Sequence, residues 1–411
     1  MKIVYVSQYF PPEMGAPAAR VSELSRHWAK MGHEVTVLTG FPNFPTGVVA
    51  PEYRSRIRRL VATERLDGVR VVRTWLWPLP NRRARERMLN YASFCVSSAW
   101  TGLFLSRPDV VIASSPQLLV GLSGWWLARV KRVPFVLEVR DLWPESLTAV
   151  GMGDSGSALH RSLAKLAGFL YREAEKIVVV TEAFKDHLVK RWAVPPEKIG
   201  IVENGVETAQ FCPAQPDPSL RKQLGTEEKF VVCYIGTIGM AHGLETLVEA
   251  AARLKAAAPG VHFVVVGEGA EKENVAAMAR ARKLDNLQFL DQQPRALIPR
   301  FITTSDACLV MLKRTPLFKT VIPSKMLEFM SCGRPLILAV DGQARKILQE
   351  AKAGIFVEPE DVEALTRAVL RLSTDRGLCE ALGRGGRQHV MRYFSRDEQA
   401  RHYLEILKQQ T

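Results

Sequence analysis

Residues 1–39, MKIVYVSQYF PPEMGAPAAR VSELSRHWAK MGHEVTVLT, read as strand, loop, helix and strand within one short span. Lys2–Tyr9 is almost continuously apolar, the pattern of a strand buried on both faces. Pro11-Pro12 end it, Gly15 permits close backbone approach, and Pro17 suits the first turn of a helix over Ala18–Met31. Glu34–Thr39 repeats the buried-strand pattern. The loop between strand and helix offers backbone N–H groups to an anion, or is simply a tight turn.

The same unit recurs outward from this stretch. Val69–Trp75, Asp109–Ser114, Phe135–Val139, Lys176–Thr181 and Ile199–Glu203 continue the strands, with helical spacing between them, as in Ser157–Ala174. After Asn204-Gly205 a proline-containing stretch, Phe211 to Pro218, reads as a linker. A second series follows: Phe230–Ile235, Val261–Val266, Leu287–Leu290, Cys308–Leu312, Pro335–Val340 and Ile355–Val357. Alternating strands and helices predict an α/β chain of two doubly wound, Rossmann-like domains. The expected layout is 1–205, 206–390 and a terminal helical segment over 391–411. Two such domains in tandem place a ligand in a cleft at the carboxyl ends of both sheets.

Composition bounds the function. The 411 residues are enough for about two to three domains. No apolar run reaches about 18 residues, so an ordinary membrane-spanning helix is excluded. Met1–Phe10 resembles a signal peptide only in its short apolar run; it breaks at Pro11-Pro12-Glu13 without a small-residue cleavage site and reads as a first strand. The six cysteines (95, 212, 233, 308, 332, 379) form no close pair, which excludes a zinc ribbon and a CxxC motif and suggests a reducing cytosol. The net charge is +14, with 28 Lys/Arg against 18 Asp/Glu in residues 1–205 and 28 against 24 in the rest. A basic surface suits nucleic acid, anionic lipid or phosphorylated substrates.

Several loops carry candidate chemistry. Gly151-Met-Gly153-Asp-Ser-Gly156 fits GxGxxG but lacks the strand and helix a dinucleotide site needs. Gly267-Glu268-Gly269 follows the strand VHFVVV and could seat a base or ribose. In GTIGMAHG, Gly236 to Gly243 with Gly239 and His242, a glycine-rich loop precedes a helix whose positive end could hold a phosphate. The richest stretch is PSKMLEFMSCGRP, residues 323–335: Lys325 and Glu328 share a helical face, as an i,i+3 ion pair or as a phosphate cation and a ribose carboxylate.

These segments together resemble glycosyltransferase family 4. The opening PPEMGAPAARVSELSRHWAKMGHEVTVLTGFPNFPTG, then EVRDLWPES, ENGVE, GTIGMAHG and PSKMLEFMSCGRPL occur in family order from residue 1 to about residue 400. The likeness is to the O-antigen, capsule and colanic-acid branch, including N-acetyl-fucosaminyl transferases. It implies a GT-B fold, anomeric retention, no catalytic metal or cofactor, and a nucleotide sugar held mostly by the second domain. It also implies that the C-terminal helix returns to the first domain. By this likeness Gly15 lies beside the donor phosphate, and Glu328 is the ribose ligand of the E-x7-E element, whose first position is here Thr320. The Arg and Lys common in the loop matching GTIGMAHG are missing, which moves phosphate neutralisation toward Lys325, backbone N–H groups and Arg20. Ser114-Ser115 replace a family His-Glu pair, leaving Asp141 as the acidic candidate near the acceptor, unless it is a helix cap or pairs with Arg140.

No Asp-x-Asp occurs anywhere in the chain, so the expected reaction meets leaving-group charge with cations and helix termini. The expected donor is a UDP-sugar carrying an N-acetylated deoxyhexose, and the expected acceptor a lipid-diphosphate-linked saccharide. A small soluble acceptor and a dinucleotide-dependent oxidoreductase are the alternatives. A nucleic-acid partner is not expected, since no basic-plus-aromatic RNA motif or zinc spacing occurs. Arg82, Arg83, Arg85 and Arg87 precede the nearly uncharged stretch 91–105, in which Phe94, Trp100 and Phe104 suit an interface. The expected location is cytoplasmic, peripheral on an anionic inner membrane face. A wholly buried helix is the alternative for that stretch.

Overall fold

A computed structural model describes residues 1–13, 15–44, 46–80, 84–115, 117–146 and 157–409. The chain divides into two compact units, Met1–Asn204 with Arg396–Thr411, and Gly205–Ser395. The second crossing therefore falls after Ser395 rather than after residue 390. The helix Arg376–Tyr393 carries the chain on to Phe394, and Val390 and Phe394 are buried in the second unit's core.

Unit 1 contains β1 (Lys2–Val6), β2 (Glu34–Gly40), β3 (Val61–Leu66), β4 (Val69–Thr74), β5 (Val110–Ser114), β6 (Phe135–Val139), β7 (Lys176–Val179) and β8 (Ile199–Ile201). Their order in the sheet is β3-β4-β2-β1-β5-β6-β7-β8, parallel except for the antiparallel β3–β4 pair. The sequence reading lacks β3. VATERL is an edge strand with mostly exposed side chains, so it never needs the apolar run that marks a buried one. Its turn was legible: Asp67 and Gly68 both adopt positive φ, the Asp-Gly signature of a two-residue hairpin.

Helix Ala16–Lys30 begins at Gly15, whose φ of 131° suits glycine, with Pro17 in its first turn. Helix Arg396–Lys408 packs on it. Trp28 is fully buried, its indole N–H donates to Ala400 O at 3.0 Å, and its ring meets Tyr403 edge-on at 5.2 Å. The Arg396–Glu23 ion pair at 2.8 Å, both side chains nearly buried, fixes the register of the two helices.

Unit 2 is a parallel sheet of β9 (Phe230–Ile235), β10 (Val261–Val266), β11 (Leu287–Leu290), β12 (Ala307–Met311), β13 (Leu336–Ala339) and β14 (Gly354–Phe356), in the order β11-β10-β9-β12-β13-β14. Both faces are covered by helices. Val231, Cys233 and Ile235 enter one core layer, Val232 and Tyr234 the other, which is why β9 is apolar throughout. Among the described residues no helix is long and apolar enough to cross a membrane.

Candidate active site

In a doubly wound sheet the loops diverge where the strand order reverses, and ligands enter there, at the carboxyl ends. In unit 2 that point lies between β9 and β12, in unit 1 between β1 and β5.

At the unit 2 switch point the loop after β9 runs beside the loop after β10. Gly236 N donates to Val266 O and Ile238 N to Glu268 O, both at 2.9 Å. A side chain at Gly267 would place its Cβ 1.9 Å from Gly236 O, so backbone must face backbone here. The loop after β12 closes the other side, with Lys313 N donating to Ala241 O at 2.8 Å and the Lys313 side chain lying along Gly243. Into this crevice the helix Ser324–Ser331 sends Lys325. Its Nζ is buried without a hydrogen-bond partner, 3.9 Å from the centre of the Tyr234 ring, and would lie 2.8 Å from a Cβ on Gly236. Burial pushes the ammonium down to about 7, with Glu328 and Cys233 acting in the opposite direction. His242, beside Gly239, is pushed down to about 3 by burial and by Lys325, so it is neutral. Glu328 does not pair with Lys325: its Oε1 accepts from Arg295 Nη1 at 2.7 Å, and Arg295 stacks over Phe211 at 4.6 Å.

At the unit 1 switch point an amide network joins the loops. Gln117 Nε2 donates to Gln8 Oε1 at 3.0 Å, Gln8 Nε2 to Asn90 Oδ1 at 2.5 Å, and Asn90 Nδ2 to Trp77 O at 2.7 Å. Glu13 Oε1 accepts from the backbone N–H of Asn43 and Phe44 at 2.9 and 3.0 Å, tying the loop after β1 to the loop after β2. Burial raises this carboxyl to about 7. At the end of β6, Ser115 Oγ accepts from Arg140 N at 2.8 Å, and Arg140 Nη2 donates to Ala16 O at 3.1 Å, beside Gly15. Arg140 Nε and Nη1 are buried without partners. The next residue, Asp141, is raised to about 6 by burial against the lowering influence of Arg140.

Residues 15–205 match the family described as Glycosyl transferase 4-like domain, and residues 217–389 the family described as Glycosyl transferases group 1. An Escherichia coli K12 protein assigned as the colanic acid biosynthesis glycosyl transferase WcaI is 29% identical over 385 residues, covering 90% of this chain and 91% of that protein. The chain belongs to the GT-B glycosyltransferases. Among solved structures, sucrose-phosphate synthase from Thermosynechococcus elongatus superimposes with a TM-score of 0.78 at 20% identity, covering 99% of this chain and 98% of that one. Anabaena Alr3699/HepE in complex with UDP-glucose superimposes with a TM-score of 0.73 at 16% identity over both whole chains.

The glycosyltransferase fold sorts the sequence candidates. Lys325, Gly239, His242 and Gly267 converge at the unit 2 switch point; Gly15 and Asp141 lie at the carboxyl end of the unit 1 sheet. Arg20 is a correction. It is 1% exposed, its Nε pairs with Glu138 at 2.9 Å, and its Nη atoms donate to the carbonyls of Val202 and Glu203 at 2.8 Å. A buried guanidinium bonded this way ties helix Ala16–Lys30 to β6 and to the segment after β8, and does not reach out to a phosphate or an acceptor. His242, being neutral, cannot replace the absent Arg or Lys as a charge. Lys313, Arg295, Glu13 and Arg140 were missed because their roles come from contacts distant in sequence; Lys313, directly after a buried strand run, carried the one local signal.

Helix Ala84–Leu103 is half-buried rather than wholly buried. Phe94 is a correction: it is fully buried and cannot anchor to a surface. Arg85, Leu89, Val96 and Trp100 recur at helical spacing on one exposed face, and Trp100 at 64% and Phe104 at 76% exposure meet edge-on at 5.8 Å. Trp126 and Val130 of the neighbouring helix Leu118–Lys131 are also exposed. Arg82, Arg83 and Gly151 to Gly156 lie outside the described residues.

Proposed function

We propose that this glycosyltransferase moves a sugar, with retention and without a metal, from a UDP-sugar to a hydroxyl of a lipid-linked saccharide in surface polysaccharide synthesis. The observation that carries this reading is Lys325: a buried amine without a hydrogen-bond partner, at the switch point of the second sheet, is poised to meet an anion. A diphosphate supplies it, and the glycine loops on either side let its oxygens approach backbone N–H groups. Glu328, oriented by Arg295, receives the ribose hydroxyls. In the transfer the acceptor oxygen attacks the face from which the diphosphate departs; the C–O bond to the diphosphate breaks, and its leaving oxygen takes the acceptor proton. Asp141 orients the acceptor hydroxyl. The transferred unit is read as an N-acetylated deoxyhexose from the likeness of the motifs to that branch of the family, and the polysaccharide context is supported by the WcaI relative.

A thermal-shift screen of nucleotide sugars tests the donor reading: a UDP-sugar raises the melting temperature through linkage, whereas NAD does not. Transfer is expected to survive EDTA; activity lost in chelator and restored by Mg²⁺ or Mn²⁺ would show that a metal carries the diphosphate charge. Glu328→Gln is expected to raise the donor KM with kcat nearly unchanged, since ribose contacts are equal in ground and transition states. Wild-type kinetics would leave Glu328 as the ion-pair partner of Arg295 alone.

The lipid-linked acceptor brings the exposed face of helix Ala84–Leu103 into the reading. Trp100 and Phe104 are side chains that enter an interface, and arginines such as Arg85 meet anionic headgroups at about 1 kcal/mol each. The protein is expected to sediment with phosphatidylglycerol vesicles at low salt and to be released as ionic strength rises. Charge reversal at Arg82, Arg83 and Arg85 is expected to weaken this without lowering the melting temperature. Equal binding to phosphatidylcholine vesicles, or binding to neither, refutes the electrostatic anchor.

A further inference from the structure

Four aromatic rings form a row at the carboxyl end of the unit 1 sheet. Phe44, from the loop after β2, is 39% exposed and meets Tyr9 edge-on at 5.2 Å. Tyr9 follows Gln8 at the switch point, and the Gln8–Asn90 hydrogen bond brings it beside Tyr91 of helix Ala84–Leu103, whose hydroxyl it influences. Tyr91 in turn meets Trp143 edge-on at 6.3 Å, and the Asp141 carboxylate acts on Tyr91. Hydrogen bonds fix the backbone or the chain neighbours of three of the rings. The amide network fixes Gln8 and Asn90, the immediate neighbours of Tyr9 and Tyr91, and Glu13 clamps the backbone N–H of Phe44. The inner pair, Tyr9 and Tyr91, are each 8% exposed, while Phe44 and the half-buried Trp143 reach solvent at the two ends.

A hydrophobic core has no use for this design. Core packing alone does not call for a carboxylate beside the rings or for three buried amides, Gln117, Gln8 and Asn90, hydrogen-bonded in series, a satisfied network of the kind that rigidifies what it joins. A row with two solvent-exposed end rings, near a carboxylate and at a sheet's switch point, matches a ligand with an apolar face and a hydroxyl edge. A pyranose has both: axial C–H groups on its face and hydroxyls around its rim.

We propose that the row Phe44, Tyr9, Tyr91 and Trp143 is the platform for the acceptor's sugar, which stacks on the open rings while Asp141 receives the hydroxyl. This rests on the reading of the acceptor as a saccharide, and it makes Phe44 and Trp143 specificity-determining residues.

Saturation-transfer NMR tests the platform without knowledge of the native acceptor. The probes are the methyl glycosides of glucose, galactose, mannose, fucose and N-acetylglucosamine at millimolar concentration, with the protein's aromatic protons irradiated. One or more glycosides are expected to receive saturation from the wild type. Phe44→Ala and Trp143→Leu are expected to lower the apparent affinity by about 3- to 10-fold each, the range one aromatic contact supports, and Trp143→Phe to retain it. The melting-temperature shift produced by UDP, followed on the same samples, is expected to be unchanged in all three variants. Saturation of no glycoside, or equal saturation in wild type and variants, overturns the platform. Loss of the UDP shift in the wild type would instead count against the donor reading and leave the platform result standing.

Discussion

Lys325→Ala is expected to lower kcat/KM by about 10- to 100-fold, the kinetic equivalent of losing about 1.5–3 kcal/mol of a hydrogen bond to a charged group. The lost contact is one to a leaving group whose charge grows in the transition state, so the change is expected in kcat as well as KM. The same lysine sets a pH dependence. Burial lowers the folded-state ammonium from 10.5 to about 7, so the folded protein disfavours the charged form. Stability therefore falls as pH drops from the unfolded value toward 7, and changes no further below it. An arriving diphosphate reverses the preference and draws a proton onto Nζ, so nucleotide-sugar affinity is expected to weaken as pH rises above 7. Lys325→Met, which keeps the stem and removes the charge, is expected to raise the melting temperature at pH 7, by about 2–4 °C for each kcal/mol relieved, while abolishing that pH dependence. Wild-type kinetics in Lys325→Ala, or affinity flat across pH 6–9, would remove Lys325 from the donor site.

Arg20→Ala is expected to destabilise unit 1 by about 3–5 kcal/mol, because it leaves Glu138 as a buried carboxylate without its closest cation. Glu138 is fully buried; it accepts from Tyr5 at 2.6 Å and from Ser114 at 2.5 Å as well as from Arg20. Burial pushes its carboxyl up, but Arg20, Arg140 and these hydrogen bonds outweigh burial and hold it below 4.5. A depressed carboxylate contributes stability above its unfolded value and loses it as pH falls through the folded one. The gap in melting temperature between wild type and variant is therefore expected to be wider at pH 7 than in acid below 4.5. Nucleotide-sugar affinity of the folded variant is expected to match the wild type. A variant that melts normally but binds donor poorly would restore Arg20 to the phosphate site.

Most of the fold was legible because a strand covered on both faces must be apolar along its whole length, whatever lies next to it. KIVYV, DVVIA and KIVVV carry that requirement locally, as does Gly15 with Pro17 at a helix start. The edge strand β3 escaped because exposure on its open side removes the requirement; only its Asp-Gly turn was local. The candidate site was legible where chain neighbours make it, as in the loop GTIGMAHG and the helix turn bearing Lys325 and Glu328. Partner choice was not. Nothing near Glu328 in sequence indicates that Arg295 takes it in place of Lys325. Nothing near Arg20 shows that Glu138 and two carbonyls from Val202 and Glu203 will consume its donors. Spacing fixes which side chains share a face, since backbone periodicity is a property of a few residues. Which cation meets which carboxylate, and which aromatic ring stays open to solvent, is settled by segments brought together from as far as 373 positions away, as in the Arg396–Glu23 pair.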